Sequence, residues 1–236
     1  LAMRVISLVV EGLERAADMG CLAWLFAQDA DIICLQDTRC AEHNLSGEAF
    51  FPANYHPYFL DHYENPRLNG VAIYSKHLPK AIIWGLGFEE FDAQGLYIQA
   101  DFDEISVGSV LVPSGTGGPE NMASKLDFLS QLSSHLEKVR HKRRGYILCG
   151  GWELMAHHAD AEDAGISQVL PGLSHSERGW LLDLYDSGYA DAYAFAFACS
   201  YAYPYSYSFS YCFSWSYSCS YSCSNAVSYT HLRAHE

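Results

Sequence analysis

Short apolar, β-branched runs recur along the first two thirds of the chain, and several follow one another with no helical segment between them. Arg4 to Val10, Asp31 to Leu35, Val71 to Tyr74, Ala81 to Trp84, Leu96 to Phe102, Ile105 to Val112 and Tyr146 to Cys149 all read as strands. Asn69-Gly70 is a hairpin-type turn signal before the third of them. Helical periodicity occupies three places: Leu13 to Gln28, Glu120 to about Lys142 (Met122, Leu126, Leu129, Leu136 and Val139 along one face) and Ser176 to Ser187. Strands that follow each other directly exclude a purely parallel sheet. The expected architecture is α/β (α+β): a four-layer sandwich of two packed mixed β-sheets flanked by helices.

The pattern stops near residue 194. From Phe195 to about Asn225 the chain consists almost wholly of Tyr, Ser, Phe, Cys, Ala and Trp, as in Tyr205-Ser206-Tyr207-Ser208-Phe209-Ser210. Strict alternation describes a strand with one apolar face, but a strand of that length without turn residues far exceeds the usual span. The favoured reading is translated low-complexity nucleotide sequence, since codons for these residues share a leading thymine. Val227 to Glu236 resembles a translated adapter. Two regions result: a domain at 3–194 and an artefactual tail at 195–236 that holds Cys219 and Cys223 through codon bias.

The domain is long enough to bury a sizeable core. No apolar run reaches the roughly 20 residues that span a bilayer, and acidic and basic residues soon interrupt the first one. Met3 reads as the natural start, and the expected location is the cytoplasm. Asp and Glu number 28 against 14 Lys and Arg, a formal net charge of -14. Such a balance repels a phosphate backbone at long range and leaves nucleic-acid contact to local patches. Cys21, Cys34, Cys40 and Cys149 lack paired spacing and are expected as reduced thiols.

Lys138, Arg140, His141, Lys142, Arg143 and Arg144 form the one basic cluster. Two readings stand level. Arg140, Lys142, Arg143 and Arg144 bind RNA or a partner, or the cations offset a helix C-terminus. Gly115-Thr116-Gly117-Gly118 lacks the Lys-Ser/Thr of a phosphate loop and is expected as a turn. His157-His158 has no third ligand at metal spacing and is read as surface loop.

Several segments, in register over some 190 residues, resemble exodeoxyribonuclease III and the wider endonuclease/exonuclease/phosphatase family. They are Val5 to Leu13, Asp31-Ile32-Ile33-Cys34-Leu35-Gln36-Asp37-Thr38-Arg39, Gly70 to Lys76, Cys149-Gly150-Gly151-Trp152-Glu153 and Glu177 to Ala192. The resemblance implies metal-dependent phosphodiester cleavage by a carboxylate that holds Mg²⁺, an Asp that handles the attacking water, and further polar partners. It also implies that little of this set remains. Val9 stands for a metal-site Asn, Asp37 for the metal-binding Glu, Leu111 for a Tyr, Gly151 for the water-handling Asp and Glu153 for its neighbouring Asn. A C-terminal Asp-His segment is missing, so the domain is expected to be truncated there. Val9, Leu111 and Trp152 are expected to fill the vacated space.

Leu35 to Arg39, Leu86 to Glu89, Tyr97 to Asp103, Val112 to Gly115 and Lys142 to Ile147 resemble, more narrowly, the catabolite repression control proteins of pseudomonads. On that resemblance the chain is expected to be a pseudoenzyme with no cofactor, acting in translational repression with the RNA chaperone Hfq on A-rich messenger RNA. The alternative is a Mg²⁺-dependent exodeoxyribonuclease or apurinic-site endonuclease in DNA repair, with DNA as partner and Asp37 as metal ligand, a residue that otherwise reads as a solvated acid at a strand end.

Overall fold

The computed structural model describes residues 3–142, 144–154, 174–191 and 210–215. One sheet contains β1 (Val5–Val9), β2 (Ile32–Gln36), β4 (Val71–Ser75) and β3 (His56–Leu60) in that spatial order. β1 and β2 are parallel, while β4 runs antiparallel to both β2 and β3. The second sheet runs β5 (Ala81–Trp84), β6 (Tyr97–Asp101), β7 (Ile105–Leu111), β8 (Gly145–Gly151), β10 (Ser210–Trp215), β9 (Ala190–Asp191). β7 and β8 pair in parallel and the other pairs are antiparallel, so both sheets are mixed.

Three apolar clusters separate four layers. Val5, Ile32, Cys34, Ile73, Ile98 and Val107 fill the space between the sheets. Ile6, Ile33 and Leu35 point the other way, onto α1 (Leu13–Asp18) and α2 (Cys21–Ala27). Val110, Leu148 and Trp152 pack on α4 (Pro119–Arg140) and α5 (His175–Asp186). Alternate residues of each central strand thus serve opposite faces, as a pleated strand buried on both sides requires. Near one end a buried polar layer interrupts the apolar packing. The Gln36 amide donates to Ser109 Oγ at 2.9 Å and to Ser7 Oγ at 3.2 Å, tying β1, β2 and β7 together across the sheets.

Several boundaries depart from the sequence expectation. The helix expected over Leu13 to Gln28 is two short helices, broken at Gly20, whose φ of +77° is left-handed. β3, with Pro57 inside it, and the short helix α3 (Glu89–Asp92) carry weak local signals and were not anticipated. In α4 the buried face is Lys125, Phe128, Leu129, Leu132, Leu136 and Val139, rotated from the expected stripe and including a lysine. Gly115 to Gly118 is a turn leading into α4, as expected, with Asn121 Nδ2 donating to the Thr116 carbonyl. Within the aromatic-serine tract, Ser210–Trp215 forms a six-residue strand that pairs with β8 from Ser210↔Gly151 to Trp215↔Tyr146.

The loop that follows β3 is held against the segment after α3: Tyr63 N–H donates to the Ala93 carbonyl and Gly70 N–H to the Gly95 carbonyl. Gly95 has φ +67°, and a Cβ there would sit 2.7 Å from the backbone carbon of Asp61 and 2.9 Å from the nitrogen of His62. Gly95→Ala is expected to cost more than the roughly 1–2 kcal/mol of left-handed strain, because backbone rather than a movable side chain blocks the methyl. Urea unfolding followed by circular dichroism measures it, and a loss below that range contradicts the close approach.

Candidate functional site

The C-terminal ends of β1, β2, β7 and β8 meet at one end of the sandwich. Val9 pairs with Gln36 in the first sheet and Leu111 with Gly151 in the second. A Cβ on Gly151 would lie 3.0 Å from Val9 Cγ2 and 3.2 Å from Leu111 Cδ1. Val9, Leu111 and Gly151 are therefore brought together, and the space beside Gly151 is lined by two aliphatic chains. Directly beneath lies the Gln36–Ser7–Ser109 layer. Sequence reading did not single these residues out, although each sits one or two positions before a residue it did name.

Asp37 follows β2 at the same end. Its two carboxylate oxygens accept from Arg39, Oδ1 from Nε at 2.9 Å and Oδ2 from Nη2 at 2.6 Å. Hydrogen bonding to Asp37 raises the Arg39 pKa, against the opposing effect of partial burial. The chain here is strained. Glu11, Asp37, Arg39, Asn69 and Glu153 all have φ between +47° and +60°. Non-glycine residues rarely adopt that region, and such residues concentrate at functional sites. Glu153 itself is exposed, two residues past Gly151.

The Glu153 carbonyl is held by Lys125 Nζ at 2.9 Å. Lys125 in turn pairs at 2.6 Å with Glu177, and both side chains are wholly buried. Glu177 closes a capping box with Ser174 at the start of α5, accepting from Ser174 N–H while Ser174 Oγ accepts from Glu177 N–H. Beyond Arg39, burial and the charge of Glu14 push the Cys40 thiol up to about 11.

Other candidates lie elsewhere. Trp152 is fully buried against Trp180 of α5, with ring centroids 6.0 Å apart, on the helix-covered face of the second sheet. Leu111 packs on the same apolar cluster as Trp152, while Val9 and Leu111, without Trp152, border the space beside Gly151, which corrects the expectation that all three fill one space. Arg140, Lys142 and Arg144 stand at the opposite end of the sandwich, beside the start of β8. Arg140 pairs with Glu137 at 3.2 Å and Arg144 lies 3.6 Å from Asp101. Arg143, His157 and His158 fall outside the described residues. Among the described residues no group of three His, Cys, Asp or Glu is arranged to hold a metal, and no helix is long and apolar enough to cross a membrane.

A Mg²⁺ ion is commonly held by one or two carboxylates, with water and substrate phosphate oxygens completing its shell. Asp37 fits that role: a hard oxygen donor, 15% exposed, at the mouth formed by the strand ends. Val9, Leu111 and Gly151 add no ligand.

The family model for the "Endonuclease/Exonuclease/phosphatase family" matches residues 15–218. An exodeoxyribonuclease of Bacillus subtilis is 29% identical over 191 residues, which is 80% of this chain and 74% of that one. The DNA repair nuclease APEX1 of Danio rerio is 26% identical over 191 residues, 80% of this chain and 61% of its own length. In fold, the chain is similar to an AP endonuclease from Archaeoglobus fulgidus, with a TM-score of 0.76 at 20% identity over 90% of this chain and 86% of that one. These nuclease relatives overturn the expectation of a non-catalytic regulator. The narrower likeness to catabolite repression control proteins finds no support in them, nor does action with Hfq on A-rich messenger RNA.

Proposed function

The chain belongs to the endonuclease/exonuclease/phosphatase family, and from that membership we propose that it is a divalent-metal-dependent nuclease acting on DNA phosphodiesters, in the manner of exodeoxyribonucleases and apurinic-site endonucleases. One observation carries the reading: similarity to an exodeoxyribonuclease spans 80% of the chain, and the family match over residues 15–218 contains the strand-end carboxylate Asp37. A divalent ion bound by Asp37 supplies charge compensation for the phosphoryl oxygens.

The protein's own residues contribute orientation. Gln36, Ser7 and Ser109 fix the strand ends relative to each other, and the pinned turn at Asp37 presents its carboxylate at a set angle. What the centre lacks is a water-handling carboxylate at Gly151. General acid–base catalysis is worth about 10²–10⁴ in rate, so turnover is expected to fall short of ordinary repair nucleases by that order.

Purified protein is expected to incise a duplex containing an abasic site when Mg²⁺ is supplied and to stop when the ion is chelated. Asp37→Asn keeps the side-chain volume but loses the charge, and should lower incision by at least about 10²-fold. Equal incision by Asp37→Asn and the parent chain, or none by the parent above the chelated control, overturns the proposal.

A further inference from the structure

Asp37 and Arg39 flank Thr38, which is buried, in a turn whose backbone is fixed from both sides. The N–H groups of Gly12 and Leu13 donate to the carbonyls of Asp37 and Thr38, at 2.9 and 2.8 Å. Thr38 and Arg39 donate to the carbonyls of Gly70 and Asn69, at 3.1 and 2.8 Å. Both flanking residues are left-handed, at +60° and +51°. The meeting of their side chains is thus set by a strained and fully tethered backbone, unlike the accidental pairing of two mobile surface chains. The pairing is also lopsided: the Asp37 side chain is 15% exposed and that of Arg39 47%.

The guanidinium fork occupies both oxygens that a metal ion would need, and its positive charge repels that ion. Arginine stays charged at any working pH, so the pair does not open by losing a proton. A phosphate group offers the same fork an equally good partner. We propose that Arg39 is a substrate-released latch, closed on Asp37 in the free protein and drawn off by a nucleic-acid phosphate, so that Asp37 takes up its metal ion only with substrate in place. The inference rests on the nuclease reading for its substrate class.

The test is a Mn²⁺ titration read from the paramagnetic resonance signal of the free ion. It is run with protein alone and with a phosphorothioate abasic-site duplex that resists cleavage, the duplex's own binding being subtracted. Protein alone should bind Mn²⁺ weakly, and Arg39→Met should bind it at least about 10-fold more tightly, within the ordinary range of coupling between two sites. The duplex should tighten binding to the parent chain much more than to Arg39→Met, and Asp37→Asn added to Arg39→Met should erase the gain. Arg39→Lys, which keeps the charge but loses the fork, should fall between. It makes the same comparison if Arg39→Met loses its circular dichroism spectrum. Equal Mn²⁺ affinity in the parent chain and the Arg39 variants, or equal tightening by the duplex, overturns the latch. Incision without that difference sinks the latch alone, whereas the difference without incision sinks the nuclease reading alone.

Discussion

Replacing Lys125 with methionine is expected to cost about 3–5 kcal/mol of stability at neutral pH, since it strands the buried carboxylate of Glu177 without its counter-charge. Both members of the pair have no exposed side-chain surface, and their polar atoms are 2.6 Å apart. Lys125 also holds the Glu153 carbonyl, so its loss frees the end of β8 as well. For a domain of this size the deficit corresponds to a fall of roughly 6–20 °C in Tm. Removing both charges together, as Lys125→Met with Glu177→Leu, should recover most of the loss, because a packed apolar pair is often as stable as a buried ionic one.

The pH dependence separates this account from simple loss of packing. Burial raises the Glu177 pKa, but hydrogen bonds from Lys125 and Ser174 and the Lys125 charge outweigh it, and the net direction is down. A carboxyl depressed on folding contributes stability above its unfolded pKa, near 4.3, and that contribution is lost as pH falls through the folded value. In Lys125→Met the desolvation remains while the ammonium is gone, so the sign reverses and the variant's deficit should shrink as pH is lowered toward 4. Urea unfolding at several pH values checks both statements. A deficit that is small, or constant with pH, contradicts the buried-pair account.

Lys125 also marks where the sequence could be read and where it could not. The central strands β1, β2, β4, β6, β7 and β8 were legible because apolar and β-branched residues run together wherever a strand is buried on both faces, as in Ile32 to Leu35 and Val71 to Tyr74. The rotation of α4 was not legible, because a lysine on an apolar face normally predicts solvent. Its burial depends on Glu177, 52 positions away and on another helix, together with the Glu153 carbonyl. β3 was missed for a related reason: Pro57 argues against a strand, yet its ring sits where β3 pairs with β4 alone, at a sheet edge. At the site, Val9, Leu111 and Gly151 could be aligned by resemblance, but their mutual contact needs the two sheets in register. The Asp37–Arg39 pair lay two residues apart in plain view. Nothing local announces left-handed backbone at both, since it arises from tethers to Gly12, Leu13, Asn69 and Gly70. The regulator reading failed at a different point: it rested on short regulator-like segments and on polar groups missing at single positions, whereas the similarity to nucleases extends over 80% of the chain.

If those missing groups set the rate, restoring them should raise it. Gly151→Asp alone is expected to do little. Its Cβ would press on Val9 Cγ2 and Leu111 Cδ1 at 3.0 and 3.2 Å, distances at which the neighbours must shift. Its carboxylate would then enter a space bordered by two aliphatic chains, at a cost of at least about 1–3 kcal/mol. Val9→Asn changes both conditions at once: it replaces one pressing methyl with an amide, and that amide can donate to the new carboxylate. The double variant Val9→Asn/Gly151→Asp is therefore expected to incise abasic duplex about 10²–10⁴-fold faster than the parent chain, the contribution of a positioned general base. Each single change should give far less than half of that gain on a logarithmic scale, because residues in contact couple. Adding Asp37→Asn should abolish the gain, since a base that deprotonates water is useful only where the phosphate is held and its charge offset. Single-turnover incision by the five chains separates the chemical step from product release. Gains that add independently across the two positions, or a double variant no faster than the parent while Asp37→Asn still inactivates it, would place the rate limitation elsewhere than the space between Val9, Leu111 and Gly151.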